Sequence, residues 1–166
     1  MSSYVLLFDI DMVLADWSHR LPHIQKEPQD WPAFYEAMPN DPVIPAGAVL
    51  LNLLITQCQI LGHAVVGGNV LGAEIPFIDV ITCRPERMRQ TTMEWFVKNE
   101  LLAPRTMHMR ADLDTRPHHV IKMEMYEKFY KGKEEILLIF EDSPETIKAF
   151  RNEGITVYQV CESALH

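Results

Sequence analysis

The stretch Tyr4-Val5-Leu6-Leu7-Phe8-Asp9-Ile10-Asp11-Met12-Val13-Leu14-Ala15-Asp16 constrains this chain most. It is an apolar run that stops at two carboxylates. Val5 to Phe8 has the length and the β-branched or aromatic character of a strand. An unbroken apolar run implies burial on both faces, as at the centre of a parallel sheet. Asp9 and Asp11 then fall at the strand's carboxyl end, where open α/β sheets bind ligands. Two carboxylates crowded there repel each other unless a cation or a shared proton offsets the charge. The stretch alone leaves two readings open, a metal-dependent carboxylate site or an acidic turn after a strand.

The rest of the chain repeats the theme. Glu135 to Phe140 is a second strongly apolar strand that ends in carboxylates, Glu141-Asp142, and Ser143-Pro144 reads as the N-cap and first residue of the next helix. Gly47 to Leu61 reads as a helix apolar nearly all round, hence deeply packed, with Gly62 ending it. Ala64 to Ile75 is Gly-rich; Val65-Val66 could open a strand that Gly67-Gly68 would break. Phe77 to Ile81 is the next strand, followed by Thr82-Cys83-Arg84-Pro85-Glu86. Pro85 suits the first position of a helix that buries Met88, Thr92, Trp95 and Phe96 and ends before Pro104. Met107 to Met109 is a weak strand, Arg110 to Arg116 a charged loop, and His118 to Tyr130 a helix with Ile121, Met125 and Phe129 on one side. Ile155 to Val160 is a last strand. This alternation predicts an α/β fold, a three-layer, doubly wound (Rossmann-like) parallel sheet with helices on both faces.

At 166 residues, 48% hydrophobic, the chain suits a single domain over 1–166 with a real core. Between the first strand and the first long helix, Asp16 to Pro45 is polar, Pro-rich and aromatic. A short helix from Trp31 to Met38, capped by Asp30 with Pro32 in its first turn, is expected there. The segment is either a flap over the strand ends or a loop pinned by its aromatics. His19 and His23 have i,i+4 spacing but no third ligand, so they read as flap histidines.

A net charge of −8 disfavours an extended nucleic-acid surface but leaves room for one phosphate pocket. Cys58, Cys83 and Cys161 form neither a disulfide framework nor a zinc pattern, which suggests a reducing compartment. Nothing reads as a signal peptide or a membrane span, so a cytoplasmic protein without membrane contact is expected.

Four features then coincide: acids at Asp9/Asp11, acids at Glu141/Asp142, a hydroxyl at Thr82, and a lysine, Lys122, opening a helix. In a doubly wound sheet these ends converge on one crevice. Carboxylates from separate strands suit a hard cation such as Mg²⁺, and Thr, Lys and backbone amides hold phosphate oxygens.

At this point the chain resembles the haloacid-dehalogenase (HAD) superfamily. Asp9-Ile10-Asp11-Met12-Val13 is similar to its first motif, D-x-D-x-[T/V]; Thr82 to the second, T-G-R-P, with Cys83 in place of Gly; Lys122 to the third; Glu141-Asp142 to the acidic fourth. A narrower resemblance, to the phosphatase domain of phage-type polynucleotide kinase/phosphatase, rests on Asp16 with Ser18-His19-Arg20, on Thr82 to Glu86, and on Met109-Arg110, Asp112, Arg116 and Lys122. Met12 stands where Gly is usual, and Glu141 where Asp is usual, which makes Asp142 the safer metal ligand.

The resemblance implies an Mg²⁺-dependent phosphomonoesterase with Asp9 as nucleophile and Asp11 as acid and then base. Thr82 and Lys122 would hold phosphate oxygens. The metal would lie on Asp9, the Asp11 carbonyl, Asp142 and, less directly, Glu141. Arg20, Arg84 and Arg110 are the candidate substrate-binding residues, with surface ion pairing the alternative for Arg84 and Arg110. The expected substrate is a nucleotide or a nucleic-acid 3′-phosphate end. A 5′(3′)-nucleotidase or small-metabolite phosphatase, and a catalytically degenerate binding module, are the alternatives.

Overall fold

A computed structural model of the chain describes residues 3–64, 69–70 and 73–161. Strand β1 spans Ser3–Phe8. Helices α1, Leu21–Gln25, and α2, Trp31–Glu36, follow, with short 3₁₀ turns at Ser18–Arg20 and Met38–Asn40. Helix α3 runs Pro45–Ala64. Strands β2, Asn69–Val70, and β3, Ala73–Glu74, make a small antiparallel pair. Strand β4 is Phe77–Pro85, helix α4 Arg89–Lys98, strand β5 Thr106–Arg110 and helix α5 His118–Phe129. Strand β6 (Glu134–Glu141), helix α6 (Pro144–Asn152) and strand β7 (Val157–Gln159) complete the order.

The main sheet is parallel throughout, in the order β5-β4-β1-β6-β7. The alternation of side chains along β1 explains its two cores. Leu6 and Phe8 face a cluster with Leu51 and Ile55 of α3 and Trp95 and Phe96 of α4. Val5 and Leu7 face a second cluster with Ile121 and Met125 of α5 and Ile147 and Phe150 of α6. Val5 to Phe8 are apolar at every position because both faces are covered there. The three-layer, doubly wound sheet expected from the sequence is therefore the observed one.

Several local readings need correction. Gly62 does not end α3, which continues to Ala64. Nor is that helix packed all round: Val49 and Leu53 are each 58% exposed, because the sheet covers only the stripe of Leu51 and Ile55. Pro85 is the last residue of β4 rather than the first of a helix; a 3₁₀ turn, Glu86–Met88, intervenes, and Met88 is only half-buried. The reading of Val65-Val66 falls outside the described residues. The Asp30 and Ser143 caps stand as expected, their side chains accepting from the Ala33 and Thr146 N–H groups.

Two backbone features seat the loop after β1. Its turn is closed by the Ile10 carbonyl, which accepts from the N–H groups of Val13, Leu14 and Ala15. Met12, in that turn, has φ +62°, a left-handed conformation that favours glycine. Helix α3 approaches the same loop so closely that a Cβ on Gly47 would lie 1.9 Å from the Val13 carbonyl oxygen. The two ends of segment 16–44 are stitched together beside it, Asp16 N–H donating to Pro42 O and Ile44 N–H to Leu14 O.

Candidate active site

The carboxyl ends of β1, β4 and β6 open onto one cavity of about 340 Å³. Asp9, Lys122, Glu141 and Asp142 line its floor, Arg20, Arg84 and Asp11 one side, and the aromatic residues of segment 16–44 its wall. The position matches the crevice that strand order alone assigns to a ligand.

The floor is a buried acidic cluster around one cation. Lys122 Nζ lies 2.8 Å from Asp9 Oδ2 and 2.7 Å from Glu141 Oε2. Glu141 is fully occupied: its other oxygen accepts from the N–H groups of Asp142 and Ser143. Asp9 Oδ1 is buried with no hydrogen-bond partner among the described residues. Burial pushes the Asp9 carboxyl well above the usual range, against the pull of Lys122, and Glu141 and Asp142 push the same way. Burial, then Glu141, likewise lifts Asp142, to about 7. Burial opposes the Lys122 charge, but Asp9 and Glu141 keep the ammonium protonated.

Three acidic side chains crowd one ammonium in a desolvated site, and the raised Asp9 and Asp142 pKa values reflect that crowding. One oxygen from each of Asp9, Glu141 and Asp142 lies within 4.8 Å of the others. An all-oxygen donor set with an unpartnered buried carboxylate oxygen fits a hard divalent cation. The Asp11 carboxylate is not in this cluster; only its backbone carbonyl, the ligand atom that the family resemblance implies, is left for that role.

Asp11 instead belongs to a quartet with the buried Arg20, Arg84 and Asp41, its own side chain 27% exposed. Arg84 reaches Asp11 through Nε (3.2 Å to both oxygens) and Nη2 (2.8 Å), and Arg20 Nη2 donates to it at 2.9 Å. Asp41 accepts from Arg20 Nη2 at 2.7 Å and from Arg84 Nη2 at 2.8 Å. Its Oδ1 also lies 2.7 Å from Arg20 Nε and 2.8 Å from His19 Nε2. Both guanidinium groups and Asp41 are buried. Burial alone would raise the Asp11 pKa, but Arg84 and then Arg20 hold it down, to about 2.

Asp41 is the residue that sequence reasoning missed. It is followed by Pro42 in a polar segment and carries no motif signal. Its position depends on the chain folding back, fixed by the indole of Trp95, whose Nε1 donates to the Asp41 carbonyl at 2.8 Å. His19, read as a flap histidine, is one of its partners.

Not every expected residue reaches the cavity. Thr82 is fully buried, its hydroxyl accepting from the Arg84 N–H at 3.2 Å, and does not line the cavity. Arg110 is the last residue of β5 and does not line the cavity; its Nη1 lies 3.4 Å from the Asp114 carbonyl oxygen. Its Nε and Nη2 are buried without partners among the described residues. Asp112 accepts from the Arg87 N–H, Arg116 pairs with Asp114 and Glu124, and Asp16 accepts from the Ser18 N–H, so these three serve local structure. Cys83 lines the cavity as a thiol whose pKa burial raises.

A parallel sheet of this order, with acids ending its first and fourth principal strands and a lysine between them, defines the class: a phosphatase domain of the HAD superfamily. The family model described as the polynucleotide kinase PNKP phosphatase domain matches residues 77–165, just over half of the chain, and the chain belongs to that family. Among solved structures, it is similar to a chain of the Pnkp1/Rnl/Hen1 RNA repair complex. The TM-score is 0.73 and the identity 16%, covering 99% of this chain and 44% of that one. It is also similar to the class C acid phosphatase from Bacillus anthracis with tungstate bound (TM-score 0.65, 10% identity, 100% and 69% covered). A third likeness is to a hydrolase from Streptococcus pneumoniae TIGR4 (TM-score 0.54, 11% identity, 98% and 95% covered). At these identities the likeness concerns the fold. The chain spans less than half the length of the RNA-repair chains it matches. A comparison with curated proteins gives no match. Among the described residues no helix is long and apolar enough to cross a membrane.

Proposed function

We propose that the chain is an Mg²⁺-dependent phosphomonoesterase that works through an aspartyl-phosphate on Asp9, on a nucleotide or a nucleic-acid 3′-phosphate. We take 1–166 as one catalytic domain with 16–45 as its flap, acting in the cytoplasm. The observation that carries the reading is the state of Asp9. One of its oxygens is fixed by Lys122 at 2.8 Å, and the other, buried at the foot of an open cavity, has no partner among the described residues.

Asp9 and Asp142, with the Asp11 carbonyl, would hold the metal, and Glu141 would orient Lys122. When bound, the metal supplies positive charge that offsets repulsion between an anionic nucleophile and an anionic phosphate. The Asp9 carboxylate attacks phosphorus, the ester P–O bond breaks, and the leaving oxygen takes a proton from Asp11. The Asp11 carboxylate then takes a proton from the water that hydrolyses the acyl phosphate, which regenerates Asp9 and releases inorganic phosphate. In the resting site Asp11 is an anion. A dianionic phosphate entering beside it opposes that charge and competes for Arg84 and Arg20, so the bound substrate itself raises the Asp11 pKa toward proton uptake. Lys122 keeps one Asp9 oxygen oriented and carries charge next to the transferring phosphoryl group.

One pair of observations favours a degenerate binding module instead: the pinned Asp11 and the Thr82 hydroxyl outside the cavity. Hydrolysis of p-nitrophenyl phosphate decides. The proposal expects turnover with Mg²⁺, loss with EDTA, and loss in Asp9→Asn with the fold retained. No turnover in the wild type, or turnover in Asp9→Asn, would sink it.

A further inference from the structure

The cavity is larger than a phosphate needs. About 340 Å³ falls at the lower end of the roughly 300–1,000 Å³ of sites that bury small organic ligands. The floor takes the phosphoryl group, so the space above it faces the alcohol that leaves.

The flap aromatics divide into two sets by burial. Trp17 and Phe34 are 8% and 7% exposed and pack edge to face, with the Arg20 guanidinium 4.5 Å over the Phe34 ring. These anchor the segment. Trp31 is 43% exposed and Tyr35 half-buried, yet both line the cavity. Their rings stack at 6.1 Å with a 30° interplanar angle. The indole is oriented by donating from Nε1 to Gln29 Oε1 at 3.2 Å, and the Arg87 guanidinium sits 5.0 Å over the phenol ring. Exposed aromatic rings held in fixed orientation do not serve the core. Both border the cavity, and Trp31 keeps much of its ring area open to a ligand.

Pro117, His118 and His119, at the start of α5, also line it. His118 is exposed at the cavity, and partial desolvation with the nearby Arg110 and Lys122 charges lowers its pKa, so its imidazole is neutral near pH 7 and adds a further uncharged ring. The cavity's arginines, Arg20 and Arg84, are already paired with Asp11 and Asp41, and Glu145 stands on the rim.

We infer that the leaving group is a nucleoside whose base stacks on Trp31 of the flap. The inference rests on the phosphatase reading for the position of the phosphate and adds the seat of the base. Base–aromatic stacking of this kind makes Trp31 specificity-determining, and its removal should cost roughly 5- to 100-fold in binding.

Two measurements on the full chain test it. In the first, 2-aminopurine riboside 3′-monophosphate is titrated with protein without Mg²⁺, so that no turnover is needed. Stacking quenches its fluorescence. The wild type and Trp31→Phe should quench it, and Trp31→Ala should bind it at least 5-fold more weakly at an unchanged far-UV spectrum. In the second, kcat/KM for adenosine 3′-monophosphate is divided by that for glycerol 2-phosphate, which has no ring. The ratio should fall 5- to 100-fold in Trp31→Ala, through KM, and recover in Trp31→Phe. An unquenched analogue, equal quenching by Trp31→Ala, or an unmoved ratio overturns the seat. Quenching with no hydrolysis of either ester would retain the seat and remove the phosphatase reading; hydrolysis with no quenching would do the reverse.

Discussion

Asp41→Asn is the most informative perturbation of the scaffold. The quartet Asp11, Asp41, Arg20 and Arg84 is formally neutral, and the substitution leaves it with one carboxylate facing two guanidinium groups. Asp41 and both arginines are buried, so water screens the imbalance little. Breaking one partner out of a buried ion pair costs about 3–5 kcal/mol. For a chain of this size that lowers the midpoint of thermal unfolding by roughly 6–20 °C, out of a total stability of about 5–15 kcal/mol. Activity should fall too, for a separate reason. Both arginines then act on Asp11 alone and hold its proton off more firmly, so kcat declines toward the roughly 10²–10⁴-fold that a positioned acid or base contributes. Urea and thermal unfolding, followed by far-UV circular dichroism, give the first quantity, and p-nitrophenyl phosphate turnover below the new midpoint gives the second. An Asp41→Asn protein with the wild-type midpoint would refute the claim that the quartet holds the flap to the sheet. Wild-type kcat would refute its link to Asp11.

Three further outcomes are expected. Gly47→Ala puts a methyl group 1.9 Å from the Val13 carbonyl oxygen, so α3 must move off the catalytic loop; overpacking of this kind costs about 1–3 kcal/mol, readable as a lower urea midpoint. Met12→Gly relieves a left-handed φ of +62°, a strain of about 1–2 kcal/mol. Glycine's larger unfolded-state entropy offsets part of it, so the midpoint should stay level or rise. Asp142 is lifted to about 7, so its carboxyl is protonated below that pH and ionised above it. Metal binding must displace the proton, and calorimetry should find Mg²⁺ affinity weaker at pH 6 than at pH 8 by on the order of tenfold. A pH-independent affinity would place the metal elsewhere.

Much of the fold was legible because its cause is local. β1 and β6 read as strands from unbroken apolar runs, and the Asp30 and Ser143 caps from side-chain chemistry one residue before their helices. The gathering of Asp9, Glu141 and Asp142 followed from strand ends, and Lys122 from its place near the start of the helix before β6. What escaped was set at long range. Asp41 meets Arg20, 21 positions away, and Arg84, 43 away, only because the flap folds back, and no local pattern marks it. The environment of Asp11 was misjudged for the same reason: desolvation and, against it, two distant guanidinium groups set its titration, and the guanidinium groups prevail. Helix α3 was overestimated because composition reports hydrophobicity but not how many neighbours exist to cover it, and the sheet covers one stripe.

The central claim is that Asp9 becomes covalently phosphorylated during turnover. Rapid quenching during p-nitrophenyl phosphate hydrolysis, borohydride reduction and peptide mass spectrometry test it directly, since an acyl phosphate on aspartate is reduced to homoserine. The account predicts homoserine at position 9, dependent on substrate and Mg²⁺. Steady turnover with no reducible residue at position 9, or with the label at another carboxylate, would contradict it.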